Sequence, residues 1–385
     1  MELYARFLAI SVIGTVALLP LLILPAMVGV LVDEGGLSEA QAGWLSSAGA
    51  FGGAGVSFLM ALRMHHIHPR RVAAVMLLLA IFLDGISAFV IGPDPLFYAV
   101  RILSGLTTTA AYVITLAAFA RFDNYERGYG VFVTLQFLVS GIGLYLLPVY
   151  ASEIGATGMY LVLAACNALA LLLTWTLPST AAQEAVSSKP GSELRFLLSL
   201  VTLAAVFGFC TFEMANTAQF TYVERFAVSI GLLDEDIGFV LLIASLIGIP
   251  GAFAIVLIGD RFGTVLPLAF GILLAIAGLS ILMYSPTYSG YLVGSCCLGF
   301  SWAFCLPYIQ SFLAGLDRDG SVVAAGSTAS TLGAAIGPGL AATMLGEGQY
   351  AAVFATAIVL FVLSTALFIL SGARAATSRT CMVTT

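Results

Sequence analysis

The feature that most constrains this chain is its succession of apolar stretches, each about long enough to cross a bilayer. A helix needs about 20 apolar residues to span ~30 Å of hydrocarbon. This test places spans near 7–32, 40–62, 71–91, 95–121, 128–150 and 157–178, then near 196–226, 235–258, 264–284, 287–316, 321–346 and 349–371. Hydrophobic residues make up 61% of the chain and charged residues 9%, against roughly half and about a quarter in soluble domains. A water-soluble fold could not bury so much apolar surface. The sequence predicts an all-α, multi-pass integral membrane protein with twelve transmembrane helices. The first run is too long for a signal-peptide core and lacks a small-residue cleavage pattern, so it reads as the first span.

One long polar run interrupts the series. Residues 178–195 read PSTAAQEAVSSKPGSELR, small and hydrophilic, and contain Lys189, the only lysine. This predicts a six-helix bundle over 1–178, a linker at 179–195, a second six-helix bundle over 196–372 and a tail at 373–385. If the spans alternate, most basic residues, among them Arg6, Arg70, Arg71, Arg121, Arg127, Lys189 and Arg261, fall on one side. Asp33, Glu39, Asp94, Asp234 and Glu347 gather on the other. The positive-inside rule makes the basic side cytoplasmic, with both termini and the linker there, in a plasma (inner) membrane. With charge so segregated, the net charge of −6 says little about partners.

The two halves also repeat. At an offset of 195, Gly36-Leu37 falls on Gly231-Leu232, Glu39 on Asp234, Gly43 on Gly238, Trp44 on Phe239 and Gly53 on Gly248. The second and eighth spans are therefore expected to be one element used twice. After the eighth span comes Gly259-Asp260-Arg261-Phe262-Gly263, which resembles the signature loop of the major facilitator superfamily: a glycine, then Asp-Arg-x-Gly. The first copy departs from that pattern, with His65, His66 and His68 in place of Asp260, Arg261 and Gly263, followed by Arg70 and Arg71. Two further elements look like that family's. Arg101-Ile-Leu-Ser-Gly105 resembles its Arg-x-x-x-Gly motif, and Gly333-Ala-Ala-Ile-Gly337-Pro338 its Gly-x-x-x-Gly-Pro bend, here in the eleventh span rather than the fifth. The resemblance implies two six-helix halves, alternating access, and gating through Asp260, Arg261, Gly263, Arg70 and Arg71. Independently of family, glycines four apart let helices approach closely and prolines bend them, which suits either tight packing or rocking.

Other chemistries find little support. The three histidines sit in a short turn without cysteine or carboxylate neighbours, so no metal site is expected. The six cysteines lie in spans or tail, and free thiols are expected. No hydrolase elbow, phosphate-binding loop, zinc motif or basic nucleic-acid patch occurs. No cofactor or nucleic acid is expected, nor an enzyme.

Charges inside spans are costly and mark function by default. Three stand out: Asp84, Arg101 and Glu213. Counting ~1.5 Å per residue from the turn at Pro93 puts Asp84 and Arg101 at similar depth, which predicts an ion pair. Glu213, Asn216 and Gln219 recur at spacings of three and share a face of the seventh span. Arg101, Thr108, Tyr112 and Thr115, at spacings of seven, four and three, share a face of the fourth, and Trp302, Tyr308 and Gln310 add aromatic and amide groups in the tenth. Similarity to the superfamily places the first, fourth, seventh and tenth spans around a central cavity. The candidate substrate-binding set is thus Arg101, Thr108, Tyr112, Asn216, Gln219, Trp302, Tyr308 and Gln310, with Glu213 and Asp84 for proton coupling. Arg101 neutralising Glu213 is an alternative. The reading is a monomeric secondary transporter whose partners are a small organic substrate, protons and the lipid bilayer, with proton-coupled export favoured. Uptake of a small organic anion and a transporter-like membrane sensor stand as alternatives.

Overall fold

The computed structural model describes residues 2–63, 67–119, 121–122, 125–178, 199–259, 261–316, 321–345 and 349–383. The linker at 179–195 with Lys189, and also His65, His66 and Glu347, lie outside these residues. The described chain folds into α1 (Glu2–Leu22), α2 (Leu24–Asp33), α3 (Glu39–Arg63), α4 (Pro69–Ser87), α5 (Pro95–Phe119), α6 (Tyr125–Val149) and α7 (Ala151–Leu173). After the linker follow α8 (Leu200–Ser229), α9 (Asp234–Leu246), α10 (Gly248–Ile258), α11 (Val265–Tyr284), α12 (Tyr288–Leu316), α13 (Ser321–Met344) and α14 (Tyr350–Val383).

Nine runs have the length and hydropathy of a span among the described residues, α9 and α10 counting as one. The other three expected spans are helical but less apolar. Glycine, serine and alanine dilute α3 and α13, while α4 carries Arg70, Arg71 and Asp84. Polarity is inverted along these helices. Phe82, Leu172, Val256 and Leu257 face outward at 65, 72, 76 and 79% exposure, while Ser11, Thr15, Asp84, Ser104 and Asn167 are buried. Such a surface suits lipid; of these buried groups Asp84, Ser104 and Asn167 are hydrogen-bonded together, while the Ser11 and Thr15 hydroxyls are buried without a partner.

The expected first span is not one helix but two, broken at Ile23 (φ −110°, ψ 19°) with Pro25 opening α2. Proline has no N–H and cannot continue the ladder. Near the break, Ser140 of α6 donates to the Leu22 carbonyl at 2.8 Å, the kind of compensation that lets helices bend in a membrane. The eighth span likewise divides at Ile247 into α9 and α10.

The repeat is realised in detail. Gly36 (φ 69°) and Gly231 (φ 80°) both take the left-handed conformation that ends the preceding helix. α3 and α9 then begin at the equivalent residues Glu39 and Asp234. Ser38 and Gln41 form a reciprocal capping pair at the start of α3, 2.9 and 3.2 Å. Trp44 and Phe239 are both 46% exposed, so the equivalence extends to the direction in which the helix faces. Close helix approach recurs too: α3 packs on α5 and α10 on α12.

By contact the chain divides into two compact units, 1–185 with 220–246 and 186–219 with 247–385. In the first, a Cβ on Gly105 would strike the Gly49 carbonyl and one on Gly52 the Ile102 carbonyl. In the second, a Cβ on Gly333 would strike the Cys210 carbonyl, and one on Gly337 the Thr217 hydroxyl and the Met214 carbonyl, 2.6 Å away. The two glycines of the Gly-x-x-x-Gly-Pro sequence therefore seat α13 on the backbone of α8, around Glu213. Backbone cannot swing aside as a side chain can, and overpacking of this kind typically costs ~1–3 kcal/mol or more. Gly337→Val is expected to lower the melting temperature and monodisperse yield of detergent-purified protein much more than Gly55→Val, where nothing lies within 4 Å of the added carbon. Equal effects would show that the close approach is not what holds α13.

Candidate functional site

In the first unit, α4, α5 and α7 bring the predicted pair together. Arg101 Nη1 lies 2.7 Å from Asp84 Oδ1. Asp84 is fully buried, and its carboxylate accepts two further bonds, from Ser104 Oγ at 3.0 Å and Asn167 Nδ2 at 2.9 Å. The Arg101 guanidinium also lies 4.9 Å from the centre of the Tyr160 ring, a favourable seat for a cation. Three donors, one of them cationic, satisfy this buried carboxyl. Asn167 and Tyr160 belong to α7, so one charge pair ties three helices.

The rest of the α5 stripe is used close to home. Thr108 and Thr115 donate back to the carbonyls of Ser104 and Ala111 at 2.9 and 3.0 Å, and Tyr112 lies 6.2 Å from Phe132 of α6.

In the second unit, the middle of α8 carries Glu213, Asn216, Thr217 and Gln219, all buried, at 6, 5, 6 and 4% exposure. Trp302 of α12 donates a hydrogen bond to the Glu213 carboxyl, and Cys210 and Cys305 lie close enough to feel its charge. Among the described residues no basic side chain forms a salt bridge with it. Glu213 is thus a buried carboxyl that accepts a hydrogen bond from a neutral indole. Asn216 Nδ2 bonds the Phe212 carbonyl at 2.9 Å, while Gln219 Oε1 is buried without a hydrogen-bond partner.

The three α12 candidates do not share one face. Tyr308 is 1% exposed and lies 5.1 Å from the Phe304 ring, and Gln310 lies on the exposed side. Residues six apart on a helix point roughly 120° away from each other. Trp302 is the one of the three that meets Glu213.

Of the gating set, Asp260 lies outside the described residues. Arg261 is exposed beside it, and Gly263 adopts φ 64°. Arg70 donates to the carbonyls of Trp175 and Leu177, 2.5 to 3.3 Å, and Arg6 to that of Thr176 at 3.0 Å. Both cations thereby cover the carbonyls left open where the α7 segment ends. Arg71 is exposed beside them.

A second charged cluster escapes a reading of spans. At the end of α8, Arg225 meets Asp33 at 2.6 Å and Glu39 at 3.5 Å, with the buried Glu224 at 3.9 Å. Adjacent opposite charges near a helix end read as a solvated boundary. The signal available was the repeat, which sets Gly29 opposite Glu224.

Removing one partner of a buried pair strands the other, at a cost of ~3–5 kcal/mol. Asp84→Asn and Arg101→Gln are each expected to destabilise purified protein, and the double variant to lose less than the sum. Strict additivity of their melting shifts would show that the pair does not act as a unit.

The sequence matches the Major Facilitator Superfamily over residues 7–338. Comparison with curated protein sequences returns no significant match. Among solved structures the fold is similar to that of the nucleoside transporter NupG in a point-mutant form, at a TM-score of 0.76 and 13% identity, over 96% of this chain and 99% of that one. It is also similar to a bacterial homologue of the human lysosomal transporter Spinster in an inward-facing, unoccupied conformation, at 0.74 and 12%, over 96% of each chain. At these identities the likeness shows the fold alone. The inverted polarity of the helices and the sequence match agree: this chain is a multi-pass membrane protein belonging to the major facilitator superfamily.

Proposed function

We propose that this protein is a proton-coupled secondary transporter that exports a small amphipathic or aromatic organic compound by alternating access, with Glu213 carrying the coupling proton. The observation that carries this reading is the isolation of Glu213: 6% exposed, bonded by an indole and reached by no salt bridge among the described residues. A carboxyl so placed favours its neutral form, because burial without a cation penalises the charge. Opening toward water hydrates it and lets the proton leave, and closing favours recapture. Asp84, with its three donors, acts instead as a fixed counter-charge to Arg101.

Substrate contacts are assigned to Asn216, Gln219 and Trp302, which combine amide groups with a flat aromatic surface. A compound with an aromatic part and a polar group matches that chemistry. With the Arg101 pair satisfied within its own unit, nothing favours a fixed anion site there.

A screen of purified protein for ligand-induced thermal stabilisation supplies the substrate for the decisive test. In proteoliposomes, Glu213→Gln is expected to abolish accumulation driven by a pH gradient while keeping substrate binding and gradient-independent exchange. A glutamine variant that still concentrates substrate from a pH difference alone would place the proton elsewhere.

Orientation is tested separately. Both termini are assigned to the cytoplasm of the plasma membrane from the distribution of basic residues. A cysteine introduced at Asp94 should react with an impermeant thiol reagent added outside intact cells, and one at Arg71 only after permeabilisation. The reverse pattern would invert the topology.

A further inference from the structure

The cluster at the end of α8 contains a carboxyl with no function in the reading above. Glu224 is 3% exposed, and its Oε2 is buried without a hydrogen-bond partner. Every charged group facing it belongs to the helix ends around it: Arg225 beside it on α8, Asp33 on α2, Glu39 on α3 and Asp234 on α9. Tyr222, two residues back, donates from its hydroxyl to the Glu39 carbonyl at 2.9 Å and so fastens α8 to α3.

Counting charges decides the state of Glu224. One guanidinium serves three carboxylates within 4.0 Å, and its short contact, 2.6 Å, goes to Asp33. Glu224 Oε1 stands off at 3.9 Å, too far for a hydrogen bond. An ionised carboxylate needs donors, and a buried one without them is strongly disfavoured. The described carboxylates do not converge as a metal-ligand set. A protonated Glu224 carries no charge to compensate.

The space for that neutral carboxyl is made by α2. A Cβ on Gly29 would lie 2.7 Å from Glu224 Oε2, so any side chain there would occupy the seat. Gly29 is also the repeat equivalent of Glu224. At this contact one copy of the repeat supplies the carboxyl and the other supplies the room.

We propose that Glu224 is a second proton-binding site, occupied while the end of α8 is packed on α2 and α3 and vacated when those ends part. On parting, Arg225 leaves Asp33, the proton passes to water, and the Glu224 carboxylate takes Arg225 as its partner. Protonation therefore latches this end of the unit. Because the packed arrangement binds the proton, acid favours packing and alkali favours parting. The inference does not depend on Glu213 or on the substrate.

Spin labels on cysteines at Glu34 and Leu233, both exposed on the turns before α3 and α9, report the separation of these ends by pulsed EPR in lipid nanodiscs. In otherwise unmutated protein the short-distance population should fall as pH is raised. Glu224→Gln, which mimics the neutral carboxyl, should hold most of that population as pH is raised, and Glu213→Gln should keep a pH response. Gly29→Val, which evicts Glu224 without altering a titratable group, should lose the short population throughout. A Glu224→Gln variant that retains the pH response, or unmutated protein that shows none, would overturn the proposal. Survival of the pH response in Glu213→Gln protein that has lost coupled transport would separate this site from the coupling site.

Discussion

Within hydrocarbon, apolar side chains gain nothing by leaving lipid for one another, so helices associate through close packing and internal hydrogen bonds. The structure depends on that constraint. Where α3 meets α5, and where α13 meets α8, glycines stand against carbonyl oxygens that a single added carbon would strike. Serine hydroxyls complete the packing: Ser364 reaches the Gly208 carbonyl and Ser371 that of Val201, both at 2.8 Å. Such bonds contribute ~1 kcal/mol each, but they fix register where hydrophobicity cannot.

Charge is added to this frame unequally. At the offset that superimposes the two copies, Asp84 corresponds to Leu279, Arg101 to Cys296, Glu213 to Leu18 and Glu224 to Gly29. The scaffold is duplicated and the polar equipment is not. In the first copy the charges are spent on a pair that ties α4, α5 and α7. In the second, the carboxyls of α8 face small or aromatic neighbours, Trp302 in one case and Gly29 in the other.

The three buried carboxyls differ in what surrounds them. Asp84 accepts three donors, one of them cationic. Glu213 accepts from a neutral indole. Glu224 has an oxygen with no donor, and its neighbouring arginine is committed to Asp33. A carboxyl that is well paired holds structure, while one that is poorly paired is free to exchange a proton with its surroundings.

The all-helical, multi-pass character of the chain and the elements around Glu39 and Asp234 were legible in the sequence, because apolar length and left-handed glycines are local properties. The Asp84–Arg101 pair was legible too, since a short turn fixes the relative depth of adjacent helices. Other features were decided by tertiary structure. The break at Ile23 has its local cause in Pro25, but the Ser140 hydroxyl that satisfies the Leu22 carbonyl there comes from α6. Helical spacing groups residues of one helix but does not say what each face meets, which is why Tyr308 packs on Phe304 while Trp302 reaches Glu213. The α8-end cluster joins residues almost two hundred positions apart, and only folding could show that Glu224 is buried there against a glycine rather than solvated at a membrane boundary.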